Sequence, residues 1–256
     1  MAEEHLDNPA GRLHSILKSA RETITATPNH NGVGGWAETF GLSLGTKEQE
    51  LEVFHRIFEV GRLVDELEER IELIEEAEDR EAFLSPIARF KAIAPLAEAR
   101  NANFSSLLAP ITQGDMIVLE FCSRHLHRFQ PEAVADREAL EELTHEVDEL
   151  FNLVSSLELE RDFKIFLLSQ IERVRRGIQE YRIGGIERLR ETLGEVLGAA
   201  MVNQDIVTSN KESEELKRFI QIADKLIAIV EFSSKTTKLI SSVSAFLPHL
   251  LKPFQG

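Results

Sequence analysis

Cys122, His125 and His127 form a C-x-x-H-x-H run, where a thiol and two imidazoles fall close together. On a helix, residues three apart share a face, so Cys122 and His125 could both reach a metal ion, while His127 projects away from them. A closed zinc site takes four ligands, and no second Cys/His pair stands at matching spacing. Cys122 and His125 are therefore metal candidates beside a plainer expectation. Cys122 shares one apolar stripe with Leu119 and Leu126, as an inert core thiol would, and the histidines follow near a helix C-terminus, where the helix dipole favours them. No cofactor is expected.

Other chemical patterns fail on spacing. His145-Glu146 is not followed by a histidine four positions on from His145, so the zinc-protease helix is absent. Arg137 and His145 stand too far apart for the arginine–histidine pair of the small helical ribonucleases. Gly32-Val33-Gly34-Gly35 is glycine-rich, but no Lys-Ser or Lys-Thr follows and no strand precedes it, so it reads as a flexible connector rather than a phosphate loop. Carboxylates are too numerous to mark an acid–base pair.

Charge is segregated. Lys47 to Arg80 holds 13 acidic and 5 basic residues. Within it Asp65, Glu68, Glu72, Glu75, Glu76 and Asp79 project within about 100° of one another on a helix of 3.6 residues per turn. Like charges at i,i+4 repel, so this stripe costs helix stability unless a basic surface faces it. Opposite in sign is a cluster of Arg173, Arg175, Arg176, Arg182, Arg188 and Arg190, interrupted only by the acids Glu180 and Glu187. Such runs are usually solvated or paired inside the fold. The alternative is that one of them docks another protein or a second copy of the chain, and these twelve residues are the interaction candidates.

The elements that would position these groups are helices. Val53, Ile57, Val60, Val64, Leu67, Ile71 and Ile74 repeat at 4-3-4-3-4-3, a heptad seam. Thr46 with Gln49 is a capping box at its start, and the periodicity predicts one helix from Lys47 to Arg80, about 50 Å long. Before it, Asn8 and Pro9 open a helix to about Ala26. A turn-rich loop from Thr27 to Gly35 follows, then a short helix through Trp36, with Phe54 and Phe58 as the surface on which Trp36 docks. After Arg80, prolines break the chain into short pieces, a small irregular cap, until Thr112 caps a helix to about Phe129.

A second seam, Leu140, Leu143, Val147, Leu150, Val154 and Leu157, lies in a helix from about Val134 to Leu157. Further helices are expected over about Glu160 to Arg182 and from Ile186 to Ala200, turning at Gly184-Gly185. Asn203 to Asn210 reads as a loop, and Ser209 with Glu212 as the cap of a last helix reaching Leu247. No period-2 strand pattern is present. The fold class is all-α: an elongated bundle of long antiparallel helices with coiled-coil-like seams, as a single domain over 1–256 or as halves 1–130 and 131–256.

The 256 residues carry a formal net charge of −15 and a sequence pI near 5.1, which argues against coating nucleic acid. Met1 to Asp7 lacks a signal-peptide core and no apolar run is long enough to span a bilayer, so a cytoplasmic location is expected. The first expectation for function is a non-enzymatic scaffold or interaction subunit, self-associating or part of a larger complex, with no small-molecule ligand indicated. The second is a membrane-active protein acting through residues 211–254, dense in apolar side chains and bearing Lys225, Lys235, Lys238 and Lys252. The third is an enzyme with an unrecognised site between helices.

Overall fold

In the computed structural model the described residues are 6–93, 99–100 and 102–232. Among them the fold is all-α, with no strand and one isolated bridge between Asn31 and Asn103. The chain divides into two compact units, residues 6–132 with 182–185, and residues 133–181 with 186–232.

In the first unit, α1 (Pro9–Ala26) opens with the Asn8 side chain accepting from the Gly11 amide at 2.9 Å, and Pro9 fills a first-turn position that needs no donor. α2 (Gly32–Phe40) begins inside the glycine run expected as a loop. A Cβ at Gly35 would overlap the Phe104 ring, and one at Gly32 would overlap the Ala99 carbonyl. Here glycine serves close packing of a helix, not flexibility. Trp36 is fully buried, stacked on Phe40 at 5.4 Å and edge-on to Phe104 at 5.3 Å. Phe58 stays half exposed, while Phe54 packs against the core that holds Trp36; the ring contacts on Trp36 itself come from Phe40 and Phe104.

α3 (Lys47–Glu72) starts at the expected capping box, with Thr46 and Gln49 each bonding the other's backbone N–H. All seven residues of the Val53–Ile74 stripe are buried. The helix nevertheless ends at Glu72 rather than Arg80. Ile74 N–H turns back to the Ile71 carbonyl, the Arg80 guanidinium donates to the Ile74 carbonyl at 3.0 Å, and α4 (Ala77–Leu84) starts afresh. Continuing the helix would have stacked Glu72, Glu75, Glu76 and Asp79 at i,i+3 and i,i+4, and the break relieves that repulsion. Short α5 (Ile87–Lys91) and α6 (Phe104–Leu108) lead to α7 (Gln113–Phe129), which Thr112 caps together with Asp115. α1 packs against α2, α3 and α7 around a single apolar core.

The second unit holds α8 (Arg137–Ser156), α9 (Arg161–Val202) apart from its residues 182–185, α10 (Gln204–Ser209) and α11 (Glu214–Phe232). α9 is interrupted at Gly185, whose φ of 59° and ψ of −154° suit only glycine. Its arms fold back on each other: a Cβ at Gly177 would overlap Thr192, and the Arg173 guanidinium donates to the Glu195 carbonyl at 3.3 Å. The stretch expected as a loop after Asn203 is the short α10, anchored by buried Val207. Ser213, not Ser209, caps α11, its hydroxyl accepting from the Leu216 amide at 3.2 Å. Leu143, Val147, Leu150 and Val154 of α8 and Leu216, Leu226 and Val230 of α11 share one core. The expected continuation of the last helix to Leu247 lies outside the described residues.

Candidate functional site

The acidic stripe is cut in two by the break after Glu72. Asp65 and Glu68 on α3 converge on Lys91 of α5, at 3.1 and 2.6 Å. Lys91 keeps its ammonium charge beyond the usual lysine range because hydrogen bonds to Glu68 and Asp65 outweigh its desolvation. Asp79 on α4 lies 3.7 Å from the His125 imidazole of α7. The remainder is different. Glu69, Glu72, Glu75, Glu76, Glu78 and Glu81 are all exposed and form no ion pair among the described residues. In their midst Leu73 is 67% exposed, an apolar side chain at the point where the helix breaks. A concentrated negative field around an apolar tip can do no bond chemistry alone, but it can attract and seat a basic, partly apolar surface.

The arginine cluster resolves the other way. Arg188 meets Glu180 and Glu191 inside the second unit, and Glu195 at 3.5 Å. Burial works against its charge, but the three carboxylates more than compensate and raise its pKa. Arg175 bridges to Asp148 at 2.9 Å and covers the Phe151 ring at 5.4 Å. Arg190 pairs with Glu187, and Arg173 donates to the Glu195 carbonyl midway along the second arm of α9. Arg176 is exposed yet also engaged. Only Arg182, which groups with the first unit, is exposed without an ion pair among the described residues.

A buried ionic hub in the first unit escapes sequence reading. Arg12 on α1 is 1% exposed; it donates to the Glu132 carboxylate, to Glu66 of α3 at 3.2 Å and to the Ile183 carbonyl at 2.9 Å. Arg70 reaches Glu132 from the side at 3.4 Å. Burial pushes the Glu66 carboxyl up to about 7; Arg12 opposes this and Glu132 adds to it. The hub fixes the backbone beside the left-handed Gly185, since the Arg12 guanidinium occupies the space a Cβ there would need. The only sequence signal was an arginine among the apolar residues of α1.

Cys122 is 1% exposed, and burial pushes its thiol up to about 12, so it stands as a neutral thiol in the apolar core. His125 lies between Phe83 and Phe129, with ring centroids 5.7 and 4.7 Å away. Among the described residues no three His, Cys, Asp or Glu side chains gather as metal ligands. No described helix is long and apolar enough to cross a membrane. Within residues 211–254, the part up to Val230 contributes its apolar face to the second unit's core, and 233–254 lies outside the described residues. Comparison with known families, with curated proteins and with solved structures found no match.

Proposed function

We propose that the chain is a non-enzymatic helical interaction subunit, working in the cytoplasm as part of a protein assembly. In this reading long antiparallel helices with heptad seams present the acidic face from Glu69 to Glu81 to a basic surface of another protein or of a second copy. The observation that carries it is the set of six exposed, unpaired glutamates around Leu73. Elsewhere among the described residues most charged side chains find a partner, and leaving this many like charges together costs stability that a partner would return.

Light scattering on the wild type and on a Glu72→Gln, Glu75→Gln, Glu76→Gln variant tests this, alongside affinity capture with the same two baits. The reading expects a heavier species, or specific capture, that is lost at high salt and in the variant. A lone chain with no difference between the two baits would sink it.

A further inference from the structure

α7 is apolar on two faces. Met116, Leu119, Cys122 and Leu126 are buried in the core of the first unit. On the outside Ile117, Phe121, His125 and Phe129 recur every fourth residue, a second stripe about 18 Å long. Phe121 is 57% and Phe129 61% exposed, and Ile117 is half-exposed. A surface helix normally turns charged residues to solvent there, and an apolar patch left open on a folded chain marks a docking surface.

The stripe is a connected surface, not a scatter of side chains. His125 lies between Phe129 and Phe83 of α4, and the Arg124 guanidinium sits over the Phe121 ring at 5.7 Å. Its two edges differ in charge. Along α4, Asp79 stands 3.7 Å from His125, and Glu76, three residues earlier, shares the face of Asp79. The stripe therefore borders the acidic face described above. On the other edge Glu120 holds Arg124 at 2.5 Å, which leaves Arg128 as that edge's net charge.

We propose that this stripe docks an amphipathic helix of another protein, with its apolar side on Phe121 and Phe129 and a basic edge along Glu76 and Asp79. The proposal rests on the reading of the acidic face as a docking surface and specifies the form of the partner. An open stripe of this length offers three to four anchor points, the number an amphipathic helix brings at i, i+3/i+4 and i+7. A second copy is a poorer occupant, because it would bring another net charge of −15 to an edge that is already acidic. The spacing of the stripe is visible in the sequence, but only the structure shows that it stays open among the described residues.

The test titrates two synthetic helices into the full chain by calorimetry. Both carry the same leucine face; one bears lysine and glutamine elsewhere, the other glutamate and glutamine. One-to-one binding of the lysine helix is expected, with the glutamate helix about tenfold weaker or more, and with Phe121→Ser and Phe129→Ser each weakening the lysine helix by about tenfold. Both phenylalanines lie outside the core, so these variants keep the fold, and Val202→Ser, at a still more open apolar residue of the second unit, should leave the affinity unchanged. Binding that falls in the Glu72→Gln, Glu75→Gln, Glu76→Gln variant but in neither phenylalanine variant would overturn this proposal and leave the acidic face a docking surface. Binding that ignores the glutamine variant would count against both. Equal binding of the two helices would also overturn it, and so would a mass above one chain that persists at high salt and falls in Phe121→Ser, which would give the stripe to a second copy.

Discussion

The acidic stripe of the first unit and the arginine cluster of the second carry the same kind of sequence signal and meet opposite fates. Each is a run of like charge on a helix. The arginines are absorbed because α9 doubles back at Gly185, which brings Glu180 of the first arm onto Arg188 of the second and the Glu195 carbonyl of the second arm onto Arg173 of the first, while Glu191 and Glu195 join Arg188 from its own arm. The glutamates have no returning arm. Lys91 takes Asp65 and Glu68, the helix breaks, and on either side of the break Glu69, Glu72, Glu75, Glu76, Glu78 and Glu81 face solvent. A charge run is a structural ion-pair set when the chain's own topology supplies the counter-charge, and a candidate surface when it does not.

The largest effect separating the two regions should come from Arg188→Met. It would leave Glu180, 1% exposed, without its principal counter-charge, and should cost about 3–5 kcal/mol in urea unfolding. A cost near zero would mean that the arginine cluster is as dispensable as the acidic face and would erase the contrast.

Next is Glu66→Gln in the Arg12 hub. The folded chain holds the Glu66 proton up to about pH 7, whereas the ordinary value is 4.5, so between these the folded state binds more protons and stability falls as pH rises. The glutamine variant should lose that fall and be more stable than wild type above pH 7, by about 2 kcal/mol once partial exposure is allowed for. Parallel pH profiles in the two proteins would contradict the assignment.

Asp115→Asn should cost about 1 kcal/mol at neutral pH, the usual worth of a helix cap. Arg89 holds the Asp115 carboxyl down at about 2, with Thr112 assisting against partial burial. Its contribution is present above the ordinary carboxylate range and is lost as pH falls towards 2. Acid unfolding that begins at the same pH in both proteins would count against it.

The smallest stability change should follow Glu72→Gln, Glu75→Gln and Glu76→Gln together, within about 0.5 kcal/mol and in the stabilising direction. A loss above 1 kcal/mol would show that these acids hold the fold together after all.

How much of this was readable depended on whether the signal was local. The 4-3 repeat named six of the buried residues of α3 and Ile74 just beyond it, and Thr46 and Thr112 announced their caps, because periodicity and capping act over one or two turns. The apolar repeat ran on through Ile74, however, so it could not reveal the break that charge repulsion imposes one residue after Glu72. Gly32 to Gly35 read as a flexible loop because what makes those glycines necessary, the Phe104 ring and the Ala99 carbonyl, lies some 65 to 70 residues away. The Arg12 hub joins residues 54 to 171 positions apart, and no window of sequence contains it. For the twelve charged candidates, the sequence gave no sign of which would be engaged by the chain's own counter-charges.

The most direct test of the docking role is absolute mass in solution by light scattering, at low and high salt, for the wild type and the triple glutamine variant, alone and with the material captured on each bait. The account predicts a mass above the 28.9 kDa of one chain at low salt that returns to one chain at high salt and in the variant. A single-chain mass in every condition, with identical capture by both baits, would contradict it.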